Sequence, residues 1–269
     1  MKPRTPRAWI ISIGTELLVG RIVNTNATRL SRRLTFMGFN VERIIAVPDV
    51  VGDIVEEIRR GLGRANLIVT TGGLGPTHDD VTMEALAVAL GRELVLNKEA
   101  ESMLRDFYSR RGLNLTRERL KMAYMPDGCR PLRNPVGSAP GCIIAYGDTL
   151  IVTLPGVPEE MEAMFESEVV KLIAQMTPTV KVVECSMVVK GVPEASIAPT
   201  LREVAARHER VYVKSHPKGF ELGKPVIEII AMASGDSEDE ALRRSRVTLE
   251  ILASKALELG GEVGNVHCT

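Results

Sequence analysis

Asn66-Leu67-Ile68-Val69-Thr70-Thr71-Gly72-Gly73-Leu74-Gly75-Pro76-Thr77-His78-Asp79-Asp80 is the stretch whose reading decides the fold. It opens as an apolar, β-branched run without alternation, the pattern of a parallel strand buried on both faces. Glycines at 72, 73 and 75 then break the strand. Val81 to Leu90 reads as a helix stopped by Gly91, with Asp80 at the position of its N-cap. Strand, glycine turn and helix N-terminus in that order bring bare backbone N–H groups and a positive dipole end together, a setting that attracts phosphate. Asp79 and Asp80 are out of place there unless a cation lies between them and the phosphate, or one of them acts as a base toward water.

Outward from this stretch the same pattern repeats. Trp9–Ile13 is a strand running into Gly14-Thr15-Glu16, read as a loop. A helix begins at Asn24-Thr25-Asn26, three capping residue types, and carries Ala27, Leu30, Leu34 and Met37 at helical spacing. Arg29, Arg32 and Arg33 read as its solvated face. Val41–Val47 is a strand ending in Pro48-Asp49, and Ile54, Val55, Ile58 and Leu62 mark the next helix. The β-α-β-α-β-α order predicts a parallel sheet with helices on both faces. Charged helical segments at 98–111 and 116–124 read as an inserted flap or a subunit contact. Gly147-Asp148 joins two strands as a hairpin, and Pro158 opens a helix running to about Met176. The boundary is placed at Thr177-Pro178-Thr179, giving a domain of residues 1–177 and one of 178–269. The second reads as a two-layer α+β unit: strand Val180–Val189, helix Glu194–Arg207, strands Val211–Ser215 and Val226–Ala233, helix Glu238–Leu259. Lys214 to Lys218 reads as a basic turn.

The chain has 269 residues, 45% hydrophobic and 25% charged, with Lys plus Arg equal to Asp plus Glu at 34 each. That balance supplies no global pull toward nucleic acid or an acidic membrane, and aromatics at 4% argue against a base-stacking platform. No apolar run approaches the ~20 residues of a membrane span, and the basic stretch Met1–Arg7 leads into no signal-peptide core. A cytoplasmic protein is expected. The four cysteines, Cys129, Cys142, Cys185 and Cys268, show no Cys-x-x-Cys pair and read as reduced, buried thiols. A dinucleotide fingerprint, a Walker A motif and a Gly-x-Ser-x-Gly elbow are absent, which disfavours hydride transfer, P-loop phosphoryl transfer and serine hydrolysis.

Ligands of open α/β sheets bind beyond the C-terminal ends of the strands. Gly14-Thr15-Glu16, Pro48-Asp49, Thr70 to Asp80 and Pro155 to Glu160 all leave strands at that end, so they are expected to form one site. Each also has a structural reading: Asp49 as a strand terminator, Glu159 and Glu160 as first-turn acids matched to a helix dipole. His78 is a weak candidate for phosphate or metal, and His208, His216 and His267 read as surface residues.

The motifs together resemble a known family. Thr70-Thr71-Gly72-Gly73-Leu74-Gly75-Pro76 with Asp80-Val81-Thr82 resembles the signature of the molybdopterin-binding (MoaB/MogA-like) domain. Gly14-Thr15-Glu16-Leu17-Leu18-x-Gly20, Asn24-Thr25-Asn26, Asn134-Pro-Val-Gly137-Ser-Ala-Pro-Gly141 and Leu154-Pro-Gly-Val-Pro-Glu-Glu-Met161 resemble the N-terminal part of CinA-type proteins and their stand-alone relatives. The resemblance covers residues 8–265. It implies an α/β fold with a three-layer, mostly parallel sheet and a second, smaller α+β (βαββα) domain. It implies catalytic roles for Asp49 and Asp80, with Asp49 expected on the strand next to the glycine turn. The adenylyltransferase branch carries Thr where this chain has Leu74. The CinA branch implies metal-dependent cleavage of the diphosphate of ADP-ribose or a related dinucleotide such as FAD. The alternatives are a molybdopterin-binding protein or adenylyltransferase, and a non-catalytic nucleotide-binding scaffold. The C-terminal nicotinamide-mononucleotide deamidase domain of full-length relatives is expected to be absent.

In the site so expected, a divalent ion (Mg, Mn or Co) is held by Asp80 with Asp79 or Glu16. Asp49 orders a water. Substrate contacts fall on Gly14, Thr15, Glu16, Asn26, Thr71, Gly72, Gly73, Leu74, Gly75, Asn134, Gly137, Ser138, Ala139, Pro155, Gly156 and Glu159. The expected partners are a small nucleotide or pterin ligand and further copies of the chain, as a dimer or trimer.

Overall fold

The computed structural model describes residues 5–177, 181–208 and 210–269. The chain divides into two compact units, Met1–Thr35 with Phe39–Thr177, and Phe36–Gly38 with Pro178–Thr269. Most of the basic N-terminal stretch, two residues of the boundary at Thr177-Pro178-Thr179, and Val180 at the start of the next strand lie outside the described residues.

The first unit is built on strands β1 (Arg7–Ile13), β2 (Asn40–Val47), β3 (Leu67–Thr71), β6 (Arg130–Leu132), β7 (Gly141–Tyr146) and β8 (Thr149–Leu154). They lie in the order β2-β1-β3-β8-β7-β6. The first four are mutually parallel, and β7 and β6 continue the sheet antiparallel. β3 is buried at every position, as its unbroken apolar run requires. Alternate residues of β1 serve the two faces. Trp9, Ile11 and Ile13 join a core with Ile54, Ile58, Leu86 and Leu104, while Ala8, Ile10 and Ser12 are buried on the other side. Helices α3 (Val51–Gly61), α4 (Thr82–Leu90) and α5 (Lys98–Ser109) supply the first layer. On the other face, α2 (Thr25–Phe36) and α7 (Pro158–Met164) are tied by Arg29–Glu162 at 2.8 Å and Arg33–Glu166 at 2.5 Å. Arg29 and Arg33 are thus half-exposed clamps between helices rather than a free solvated face. Helix α7 runs on through a π-helical turn at Phe165–Val169 into α8 (Val170–Ile173). The result is the expected three-layer, mostly parallel α/β fold.

Two local expectations change. Thr15–Leu18 is a single helical turn, α1, rather than a loop. The 98–124 segment is no flap: Ala100, Leu104 and Tyr108 of α5 are buried in the core. Its ends are joined by a ribbon of β4 (Leu94–Leu96) and β5 (Tyr124–Pro126), with α6 (Arg117–Leu120) between. Such three-residue strands carry too little alternation to stand out in a sequence.

In the second unit, β9 (Lys181–Lys190), α9 (Glu194–Arg207), β10 (Val211–Glu221), β11 (Lys224–Gly235) and α10 (Glu238–Glu258) make the expected βαββα set. Val183, Cys185, Met187 and Val189 alternate into its core with Ile227, Ile229 and Leu249. Lys214–Lys218 lies inside β10, which runs past Ser215 through a register shift between Pro217 and Gly219. The turn comes at Leu222, whose φ is 51°, and Gly223. Two short strands, β12 (Glu262–Val263) and β13 (His267–Cys268), add to β9.

The cysteines are not reduced. Cys129 is bonded to Cys142 and Cys185 to Cys268. The second pair arises from strand register, since Cys268 stands opposite Cys185 across β13 and β9. A separation of 83 residues hides that pairing from any motif search. Closing so long a loop removes unfolded-state entropy worth about 4 kcal/mol. Cys268→Ala is therefore expected to lower stability by about 2–4 kcal/mol, and reduction of wild type, which opens both bridges, to lower the thermal midpoint at least as far, both read by calorimetry.

Candidate functional site

The strand order reverses between β1 and β3, because the chain passes from β2 back across β1 to lay down β3. Loops leaving such a switch point part and open a crevice. A cavity of about 610 Å³ lies there. It is lined by the ends of β1 and β3, by Asp49 beyond β2, by Pro155 and Gly156 beyond β8, and by Asn24–Asn26 at the start of α2.

The floor is made by glycines in conformations other residues resist. Gly72 has φ +109°, and a Cβ there would run into the carbonyl of Ile13. Its N–H donates to Leu154 O at 3.0 Å. Gly73, at φ +65°, packs against Thr82. The buried Thr82 hydroxyl donates to Gly72 O at 2.8 Å, and its N–H to Gly73 O at 3.2 Å. The first helical residue of α4 thereby fixes the turn. A Cβ on Gly156 would stand 3.4 Å from the Gly72 α-carbon, so the β3 and β8 loops touch backbone to backbone.

Asp49 is anchored rather than loose. Its Oδ2 accepts from the Thr15 amide at 2.8 Å and the Thr15 hydroxyl at 3.0 Å. It holds the start of α1 and thereby ties the β2 end to the β1 end. The strand beside the glycine turn is β1, and Asp49 leaves β2 one strand further out. Glu16 turns back over Gly14, its carboxylate occupying the space a Cβ would take. Asp80 is not the N-cap of α4: that place belongs to Val81, with no side-chain cap. Asp80 Oδ2 accepts from the Thr77 amide at 2.9 Å, and the Thr77 hydroxyl, with one proton to give, is shared between Asp79 and Asp80. The Asp80 oxygen stands 2.6 Å from where a Gly75 Cβ would be, so a side chain at 75 would displace the Asp80 carboxylate. The insert reaches the same place, with Lys121 donating to the Thr77 carbonyl and Met122 lining the cavity.

Of the sequence-derived residues, Glu16, Asn26, Asp49, Thr71, Gly72–Gly75, Asp79, Asp80, Ser138, Ala139, Pro155 and Gly156 line the cavity. Gly14, Thr15, Asn134, Gly137 and Glu159 do not, and the first four act behind it. Asn134 Oδ1 accepts from the amides of Val136 and Gly137 at 3.1 and 2.7 Å, and its Nδ2 donates to Glu160 at 2.7 Å. Glu160, not Glu159, faces the site and packs over Gly137. The sequence reading placed Glu160 in a site loop but assigned the substrate contact to Glu159, and it did not single out Lys121. The π-turn-bearing helix fixes Glu160, and a distant insert brings Lys121, so neither has a local signal.

As for a metal, among the described residues no three His, Cys, Asp or Glu side chains converge to hold one. Glu16, Asp79 and Asp80 do not form a protein cage. Among the described residues, Asp49 and Asp80 each keep one carboxylate oxygen without a protein hydrogen bond. That donor set fits a hard divalent ion arriving with phosphate oxygens, since Mg²⁺ commonly takes one or two carboxylates plus substrate phosphates.

An open parallel sheet with a glycine turn, acids and a cavity at its switch point defines an α/β domain with a ligand-sized crevice at its sheet edge. The comparisons with known proteins give the family. Residues 9–175 match the family described as "Probable molybdopterin binding domain". A protein of Aeropyrum pernix is 52% identical over 258 residues, 96% of either chain. The crystal structure of the protein CinA, of unknown function, from Thermoplasma acidophilum is 42% identical. It aligns with a TM-score of 0.58 over 62% of this chain and 98% of that one. MoaB from Thermus thermophilus aligns over 62% of this chain and 91% of its own at 25% identity and a TM-score of 0.41. The chain belongs to the CinA-like molybdopterin-binding domain family. No helix among the described residues is long and apolar enough to cross a membrane.

Gly72→Ala is expected to cost roughly 2–4 kcal/mol of stability, measured by thermal denaturation, because both its φ and the Ile13 carbonyl oppose a Cβ. Asp79 gives a pH-dependent handle. The Thr77 hydroxyl's hydrogen bond holds the Asp79 carboxyl below its ordinary value, helped by the Asp79 amide and the charges of His78 and Lys121. A depressed carboxyl contributes stability above its unfolded pKa and loses it as pH falls through the folded value. An NMR titration of Asp79 is expected to show a midpoint below about 3.9, returning upward in Thr77→Val.

Proposed function

We propose that the crevice binds a phosphorylated pterin of the molybdopterin class, with the phosphate on the Gly72–Gly75 turn and the ring among the apolar residues of the β1 and β8 loops. The observation that carries this is the turn itself. Two positive-φ glycines, locked by Thr82 and Gly156, line a cavity of about 610 Å³, within the range of ligand pockets. Family membership supports the same ligand class. Leu74 is 5% exposed in the apolar core, so this turn keeps its glycine conformation without the hydroxyl of the adenylyltransferase branch, which favours binding over adenylyl transfer.

A second reading, hydrolysis of a nucleotide diphosphate such as ADP-ribose or FAD, is favoured by one observation: Asp49 and Asp80 line the same cavity as the phosphate turn. In that reading Asp49 orders a water through its unoccupied oxygen, with Thr15 holding the carboxylate in place. A divalent ion (Mg, Mn or Co), held by Asp80 and the ligand's phosphates, supplies charge neutralisation. The exposed Leu18 and Val19 at the end of α1, at 51% and 70%, support a homo-oligomer, and light scattering decides its order.

Titration calorimetry with a pterin diphosphate, beside a hydrolysis screen over ADP-ribose and FAD with Mg, Mn and Co, separates the readings. The expected outcome is pterin binding that survives in Asp49→Asn and Asp80→Asn. If instead ADP-ribose is hydrolysed and both variants lose at least about 100-fold in rate, the second reading replaces the first.

A further inference from the structure

Two asparagines of the Asn24-Thr25-Asn26 motif line the cavity, and they are in opposite states. Asn24 is closed. Its Oδ1 accepts from the Ala27 amide at 3.1 Å and lies 3.2 Å from Ser12 Oγ, and its Nδ2 donates to Ser12 Oγ at 2.9 Å. Asn26 is open on one side. It is 7% exposed, and its Nδ2 donates to Thr71 Oγ1 at 3.0 Å and to Gly156 O at 2.8 Å. The Thr71 hydroxyl spends its own hydrogen on Pro155 O at 2.8 Å. Turning the amide round would set Oδ1 against a carbonyl and a hydroxyl lone pair, so its neighbours fix its orientation. Oδ1 then remains buried with no hydrogen-bond partner. Thr70, Thr153 and Thr248 also carry a buried, unpartnered hydroxyl among the described residues, but none of them lines the cavity.

A buried acceptor in a ligand cavity calls for a donor on the ligand. A phosphate oxygen, itself an acceptor, is repelled there. Ile13, Ile22, Val23, Met122 and Val157 line the same cavity and suit the flat face of a ring rather than a sugar. Resting on the proposed reading of this site, we infer that Asn26 Oδ1 accepts a hydrogen bond from a ring N–H or amino group of a heterocyclic ligand. Asn26 thereby selects the donor edge of the ring, while the glycine turn takes the phosphates. Its amide also ties α2 to the β3 and β8 loops, so selection and wall are one residue.

The test is a ligand comparison on the intact protein by titration calorimetry. The probes are 6-hydroxymethylpterin diphosphate, its 3-methyl-2-dimethylamino derivative lacking the donors, guanosine diphosphate and inorganic diphosphate. The donor-bearing pterin is expected to bind about tenfold tighter than its methylated derivative. That preference is expected to collapse in Asn26→Ser. The guanosine probe distinguishes a purine edge from a pterin edge. Equal affinity of wild type for the two pterins overturns the inference, as does a preference that persists in folded Asn26→Ser. If the variant fails to fold, the wild-type comparison alone decides. If wild type binds inorganic diphosphate but no ring-bearing probe more tightly, the ring inference fails and the phosphate site stands. If it binds none of the probes, the proposed function falls and takes the inference with it.

Discussion

The close approach of Gly72 to the Ile13 carbonyl is the constraint from which the site follows. A side chain at 72 would push the end of β3 away from the end of β1, and the crevice would lose its floor. The same glycine bonds to Leu154 O and faces Gly156. Three strand ends are thus drawn to one point by the lack of a single carbon atom. Thr82 completes the arrangement by locking the turn to the first residue of α4. Backbone geometry therefore does the positioning, and the charged side chains are arranged around a floor that exists without them.

The acids beside the phosphate turn pose an electrostatic problem that the fold answers locally. Thr77 gives its amide to Asp80 and shares its hydroxyl between Asp79 and Asp80, while its carbonyl is covered by Lys121. A cation from the insert and two hydrogen-bond donors from one residue offset part of the negative charge. Asp49 is similarly engaged by Thr15. In the proposed binding mode, a phosphate would meet carboxylates already partly satisfied, a less repulsive field than the bare sequence suggests.

Most of the framework was legible in the residues, because its signals are local. The apolar run of β3, the glycine turn and the helical spacing of α2 and α3 each announce themselves within a dozen residues. The cavity's membership was also largely legible, since four loops leave strands at one sheet edge. What escaped has no local signature. The choice of Glu160 over Glu159 depends on the rotation of α7, and Lys121 depends on where the insert docks. The position of β1 between β2 and β3 is a property of strand order. Asp80 was read as a cap because Asp before a helix usually is one, but here Thr77 competes for it and wins. The Cys185–Cys268 pair was missed because register, not spacing, brings it together.

The two disulfides have a topological consequence. Cys129 and Cys142 enclose the loop that carries Asn134, Ser138 and Ala139, and Cys185 and Cys268 enclose the segment from β9 to β13. A peptide bond cut inside either ring leaves the molecule covalently whole. The loop at the cavity and the second unit can therefore each be nicked without shedding a fragment, and the pieces come apart only after the bridge is reduced.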